Sequence, residues 1–157
     1  MSLMKAKEYL KRFDLDKNII EYKDSTATVK EAAQALGCTD ALIAKTMAFL
    51  INDKPILIVA SGNKKIDNQK FKQVFNTKAK MIPFDSLERL IGHNAGGICP
   101  FGINDDVLVY LDDSLKEFDI VYPACGSSSS VVKLTLKELE KVSNYVSYVD
   151  VCKKPEN

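Results

Sequence analysis

One histidine and four cysteines are all that this 157-residue chain offers to a zinc-type metal site. Cys38, Cys99, Cys125 and Cys152 stand far apart with no CxxC pair, and His93 alone cannot complete a Cys/His site of the usual spacing. No metal and no cofactor are therefore expected, and the cysteines read as reduced thiols of a cytoplasmic protein. No apolar run approaches the length that spans a bilayer. Residues 1–13 carry lysines throughout and read as an amphipathic helix, not a secretion signal, so no membrane partner is expected. Net charge is only +1, which removes any global electrostatic reason for binding nucleic acid and leaves that to a local patch. Lys64, Lys65, Lys70 and Lys72 cluster, followed by Lys78 and Lys80, and read mostly as solvated surface. A P-loop is missing, as is the GxGxxG spacing of a dinucleotide site.

What remains is ordinary globular material: 46% hydrophobic, 27% charged, and the length of one domain. Thr28-Val29-Lys30-Glu31 and Thr135-Leu136-Lys137-Glu138 are capping boxes, each opening a helix. The first closes at Gly37, a natural position for left-handed backbone. Residues 43–51 and 55–61 are apolar runs joined by a turn, and they predict a β-hairpin in the middle of a sheet. Further helices are expected at residues 3–13 and 67–75, and one starting at a cap on Asp85 and ending at Gly92. Further strands are expected at 19–22, 79–83, 107–111, 120–123, 131–134 and 145–151, with 153–157 as a tail. Interleaved strands and helices, with no repeat and no linker, predict one α/β (α+β) domain over residues 1–157, built on a mixed sheet.

Chemistry concentrates in residues 92–102, which hold four of the seven glycines and the histidine. Glycine there permits sharp turns and close approach of a ligand. Gly92, Gly96 and Gly97 suggest a rigid backbone wall whose amides hold a carbonyl oxygen, an anion or a water. Lys45, inside an apolar run, has two readings: alternation turns it to solvent, or it faces a cleft and meets an anion. Spacing does not choose between them. His93, at a helix C-terminus, reads as a charged group against the dipole. Cys99 with His93 is a nucleophile pair lacking a third group. Residues 127–130 are serines that offer hydroxyls to a ligand or form a plain polar loop. Asp112 and Asp113 pair with Lys45 or cap their own turn.

These pieces in this order resemble the YbaK/prolyl-tRNA synthetase editing-domain family of aminoacyl-tRNA deacylases. The resemblance covers residues 28–151. It rests on Thr28-Val29-Lys30-Glu31-Ala32-Ala33, Ile43-Ala44-Lys45-Thr46, Leu57-Ile58-Val59-Ala60-Ser61-Gly62, the whole of residues 92–102, Asp112-Asp113-Ser114-Leu115 and Gly126-Ser127. It implies a mixed, partly barrel-like sheet flanked by helices, and hydrolysis of the ester in mischarged aminoacyl-tRNA. Lys45 would hold the terminal phosphate. The backbone from Gly96 and Gly97 through Ile98 and Cys99 to Pro100 would place the aminoacyl group and water. Tyr22, Thr46, Gly126 and Ser127 would line the substrate pocket. The water would be helped by a hydroxyl of the terminal ribose, not by a side-chain base. The implied partner is the acceptor end of aminoacyl-tRNA, with an aminoacyl-tRNA synthetase as a second partner; no oligomeric state is implied. The chain departs from the family pattern at Cys99, where a serine, proline or other small residue is expected, and at Ser128 and Ser129. Such changes leave Ala, Cys, Ser and Thr open as the amino acid removed, because a pocket discriminates one methylene by only about 1–3 kcal/mol. Two other readings stand beside the deacylase: a module that binds tRNA ends or adenosine-containing ligands without turnover, and a thiol hydrolase using Cys99.

Overall fold

Strands β2 (Ile43–Ile51) and β3 (Lys54–Ser61) pair along their whole length, from Ala44 opposite Ser61 to Ile51 opposite Lys54. Asn52 and Asp53 turn the chain between them at φ of 50° and 65°. Positive φ at both central residues gives the twist a tight hairpin needs, and Asn and Asp tolerate it. From Pro55 to Ser61 every residue of β3 is buried, as expected of a continuous apolar run covered on both faces.

The computed structural model describes residues 2–155. In chain order the elements before the hairpin are α1 (Ser2–Lys11), β1 (Ile19–Glu21) and α2 (Val29–Leu36). After it come β4 (Lys65–Ile66), α3 (Asn68–Phe75), α4 (Leu87–Ile91), β5 (Leu108–Asp112), β6 (Ile120–Pro123), β7 (Ser130–Val132), β8 (Leu134–Thr135), α5 (Leu136–Ser143), β9 (Tyr148–Val149) and β10 (Cys152–Lys153). The main sheet has six strands in the order β8-β6-β2-β3-β5-β9. Parallel pairs (β2–β6, β3–β5, β5–β9) mix with antiparallel ones (β2–β3, β6–β8), and the sheet curls into a half-barrel. The predicted mixed α/β domain, with its hairpin at the centre, is what forms.

Each sheet face has its own core. Ala44, Ala48, Leu57 and Val59 pack against Ala6 and Leu10 of α1, Ile91 of α4 and Leu139 and Val142 of α5. Phe49, Ile56 and Ile58 pack on the other face against Phe71 of α3. Ala32 and Ala33 of α2 sit on Ile43 and Val131. Both capping boxes form: Thr28 Oγ1 accepts from Glu31 N–H and Thr135 Oγ1 from Glu138 N–H, each at 3.1 Å.

Five expectations change. Residues 79–83 are not a strand but make one bridge, Phe49 to Met81, and Pro83 has no N–H to extend it. Asp85 caps nothing: Phe84–Ser86 is a 3₁₀ turn that starts α4, and Asp85 lacks the extended backbone a cap requires. Residues 131–134 split between β7, which pairs with β1, and β8, which pairs with β6. The long last strand shrinks to β9, because Asp112 Oδ1 takes the Val151 N–H (3.0 Å) that a further ladder bond would use. The expected tail instead begins with β10, paired to β4; residues 156–157 lie outside the described residues.

Thr135→Ala removes the cap of α5. It is expected to lower stability by about 1 kcal/mol, read as a reduced urea midpoint with an unchanged denaturant slope.

Candidate functional site

The outer edge of β2 is only partly covered. β6 pairs with Ile43 and Ala44. The edge is taken up again where Ile82 N–H donates to Ala48 C=O (3.1 Å) and Leu50 N–H to Lys80 C=O (2.9 Å). Thr46 lies between, and a cleft of about 140 Å³ opens at this gap. Its opposite wall is residues 26–29 and Ala32, held in place where Thr26 N–H donates to Ser128 C=O (2.7 Å) and Tyr22 N–H to Ser129 C=O (2.8 Å). Gly96 and Ile98 close one side, and Tyr122, Ala124 and Val131 another.

Glycine is required where the two loops meet. Gly126 N–H donates to Gly97 C=O (3.0 Å), and a Cβ on Gly97 would stand 2.5 Å from Gly126 C and Ser127 N. Gly96 has φ of 87°, and a Cβ there would crowd Ala27 and Ser128 at 3.3 Å. Gly97 N–H is taken by Asn94 C=O (3.1 Å), whereas no hydrogen bond among the described residues engages the amides of Gly96 and Ile98.

Of the residues expected at a substrate site, Lys45, Thr46, Gly96 and Ile98 border this cleft. Gly97, Gly126 and Ser127 are its scaffold, not its lining. The Ser127 hydroxyl is taken up by Ser130 and by the Ser129 N–H. Tyr22 borders a separate depression with Ser25 and Glu31. Pro100 borders another, beside Tyr9 and Arg12. Cys99 is fully buried in the core. Thr26, Ala124 and Val131 line the cleft without having been singled out by the sequence, and Val29 and Ala32 line it without having been named as site residues. Thr26 Oγ1 and Thr46 Oγ1 are buried with no hydrogen-bond partner among the described residues.

Lys45 borders the cleft with part of its length, while its ammonium lies elsewhere. Strand alternation puts it on the face of Met47 and Phe49, opposite Ala44 and Ala48. Its ammonium donates to the Lys64 carbonyl, outside the cleft wall. Half-burial lowers its pKa; nearby Cys152 acts in the other direction. Asp112 and Asp113 do not meet it: Asp112 caps Ser114 N–H (2.9 Å), and Asp113 pairs with Lys116 (3.0 Å). Lys65 stands opposite Lys153 across β4 and β10, and Lys64, Lys70, Lys153 and Lys154 border one depression.

His93 is not a charged helix cap. It is fully buried. Nε2 donates to Phe101 C=O (2.6 Å), which can only accept, so Nδ1 accepts from the Ser2 hydroxyl (2.6 Å). This is the neutral tautomer, and burial lowers the pKa in agreement. Cys99 Sγ donates to Phe101 C=O (3.7 Å), and burial raises its pKa, so it is a thiol and no nucleophile. Burial also pushes Cys125 and Cys152 up to about 12. Among the described residues no three His, Cys, Asp or Glu side chains converge as a metal would need, and no helix is long and apolar enough to cross a membrane.

A sequence model of the aminoacyl-tRNA editing domain matches residues 23–142. The chain is 43% identical over 154 residues to the uncharacterized protein YwhH of Bacillus subtilis, covering 98% of each. It is 23% identical over 125 residues to the "Putative Cys-tRNA(Pro)/Cys-tRNA(Cys) deacylase EbsC" of Enterococcus faecalis, covering 78% of this chain and 76% of that one. A proline–tRNA ligase of Levilactobacillus brevis is 26% identical over 102 residues, which are 64% of this chain and 17% of the ligase. The fold superposes on the crystal structure titled as that of "a putative trans-editing enzyme for prolyl tRNA synthetase" with a TM-score of 0.86 and 26% identity, covering 99% of this chain and 98% of that one.

Two outcomes follow from the buried groups. Native protein treated with a thiol-alkylating reagent gains one fast adduct, at half-buried Cys38, and four once unfolded, counted by intact mass. His93 is neutral in the fold, with a pKa below its ordinary 6.5. The unfolded chain therefore binds the extra proton first as pH falls, and stability drops as pH goes from about 7 to about 5. Urea midpoints for wild type and His93→Gln, whose amide offers the same two bonds without titrating, should show the larger acid loss in wild type.

Proposed function

The chain belongs to the aminoacyl-tRNA editing domain family, and from that premise we propose that it hydrolyses the ester of mischarged aminoacyl-tRNA as a single-domain deacylase. The observation that carries this reading is the composition of the cleft wall. It contains no His, Cys, Asp or Glu; the one charged residue along it, Lys45, carries its ammonium away to the Lys64 carbonyl, and the remaining polar groups are hydroxyls and backbone. A site of this kind binds and positions an ester but supplies no side-chain base or nucleophile.

Hydrolysis then depends on placement. The attacking water forms the new bond to the ester carbonyl carbon, and the neighbouring hydroxyl of the terminal ribose assists its deprotonation. The ribose oxygen leaves with that proton, freeing the amino acid. The amides of Gly96 and Ile98 are the donors on this wall left for the oxyanion. Gly97 serves differently, by letting its loop lie against Gly126. Lys45 leaves the Lys64 carbonyl and meets the terminal phosphate, where a charge-assisted bond is stronger. The opposed Lys65 and Lys153 repel one another, and phosphates of an acceptor stem beside them would relieve that. The named relatives make tRNA(Pro), mischarged by a prolyl-tRNA synthetase, the carrier we favour.

The test is release of amino acid from a panel of Ala, Cys, Ser, Thr and Pro esters on two or three tRNAs. Lys45→Ala should lower kcat/KM on the best ester by about 10- to 100-fold, the worth of one charge-assisted bond. An unaffected rate would remove Lys45 from the mechanism. Binding of aminoacyl-tRNA without release would replace the deacylase by a binding module.

A further inference from the structure

Of the six tyrosines and seven phenylalanines in the chain, only Phe84 is exposed, with 79% of its surface open. Other rings pack on one another: Phe49, Phe71, Phe75 and Tyr110 in one series, Tyr9 on Phe13, and Tyr145 on Tyr148. Met81, just before Phe84, is 62% exposed, whereas Ile82 between them is buried and ties the segment to the core.

The strand register places Phe84 beside the cleft. Ile82 N–H donates to Ala48 C=O (3.1 Å), and Met81 bridges Phe49. Continued by two residues, this antiparallel register sets Pro83 opposite Met47 and Phe84 opposite Thr46, the residue at the gap in the edge of β2. Pro83 is still extended (φ −56°, ψ 143°), and the chain turns only at Phe84, where a 3₁₀ turn begins. Two extended residues span about 7 Å, so the backbone of Phe84 stays at the end of the gap. Its ring does not line the cleft; it stands outside, on the rim.

The ester that this cleft would take is carried by a ribose, and the ribose carries a base. The cleft has about 140 Å³, under half of the roughly 300 Å³ at which pockets for drug-sized ligands begin. It has room for an aminoacyl group and not for a nucleoside as well, so the base lies outside, over the rim. Every base has a π-face that an aromatic ring accepts. The exposed charges nearest Phe84 in the chain are Lys80, Asp85, Glu88 and Arg89, two of each sign, so this surface suits a neutral plate better than a phosphate. A protein partner of ordinary size covers about 800 Å² a side, whereas the apolar strip here is Met81, Pro83 and Phe84 between charged residues.

We propose that Phe84 is the stacking platform for the terminal base of the aminoacylated strand, with Met81 extending its apolar surface. This rests on the deacylase reading and places the nucleoside end of the same substrate. Stacking tolerates any base, so Phe84 contributes affinity rather than sequence choice.

The experiment is a double-mutant cycle between Phe84 and the base. It is read as equilibrium binding of an uncharged acceptor-stem RNA hairpin by wild type, Phe84→Ala, Phe84→Leu and Phe84→Trp. One hairpin ends in adenosine, and the other keeps the terminal ribose without its base. Removing the base should weaken binding to wild type and Phe84→Trp by about tenfold, and to the alanine and leucine variants by no more than about twofold. The difference should persist as salt is raised, because stacking releases no counterions. Phe84 is exposed, so the variants should keep the wild-type urea midpoint. Equal losses on base removal in wild type and Phe84→Ala overturn the proposal, as does absence of binding to either hairpin. Self-association of wild type that Phe84→Ala abolishes at unchanged RNA affinity also overturns it, and assigns the ring to a second copy of the chain. The same hairpins charged with alanine, serine or cysteine are assayed in parallel. Release from none of them overturns the deacylase reading, while the binding cycle still decides the role of Phe84.

Discussion

A strand inside a sheet has two edges to satisfy, and β2 satisfies one of them completely and the other in two separate pieces. β3 matches it residue for residue, whereas β6 leaves after Ala44 and residues 80–82 return at Ala48. The curl of the half-barrel makes this unavoidable: β6 turns away to pair with β8, and its continuation runs into Ala124 and the Gly126 loop. The interval is too short for another strand and wide enough for a small ligand. Everything else at the site is an answer to that gap. The segment after β1 is pulled across it by two backbone bonds to the serine loop, and α2 begins there, so the start of a helix faces the open edge.

The far side of the cleft depends on backbone lying directly on backbone. Gly97 rests on Gly126 and Ser127. A Cβ on Gly126 would come within 2.6 Å of Ser2 O, and one on Gly102 within 2.6 Å of Lys5 O. Helix α1 thus clamps both glycine loops at once, and the Ser2–His93–Phe101 chain of hydrogen bonds ties the clamp together from within. His93 and Cys99, the two groups with the most reactive chemistry in their loop, are used up in this internal support. Their removal from the surface leaves the cleft wall with amides, hydroxyls and one lysine.

The sequence made legible what short-range physics controls. A continuous apolar run between turn residues marked the central hairpin, and hydroxyl-to-carboxylate spacing marked the starts of α2 and α5. Two-residue strands such as β4, β9 and β10 have no period to detect, because alternation needs several residues before it differs from chance. The state of His93 was hidden for another reason: its partner Ser2 lies 91 residues away, so nothing near it in the chain says that it is buried and neutral. The cleft was legible in part. Lys45, Thr46, Gly96 and Ile98 carry motif-like surroundings, but Thr26, Ala124 and Val131 are ordinary residues made important by the folding of distant segments onto one edge. Residues singled out for their own chemistry proved in several cases to be structural, as with Cys99 and Ser127.

Lys45 shows how such a site can be stable when empty and still responsive. An ammonium half-removed from water loses part of its hydration, and the lowered pKa expresses that loss. The Lys64 carbonyl returns only a fraction of it, since a neutral acceptor binds a cation less strongly than an anion does. The group is therefore held, but under-compensated. A phosphate arriving at the same ammonium gains more than it would at a fully solvated surface lysine, because the desolvation has already been met by the folding of the strand. The fold thus carries in advance the cost of holding an under-compensated cation, and a ligand that satisfies it recovers what the empty protein gave up.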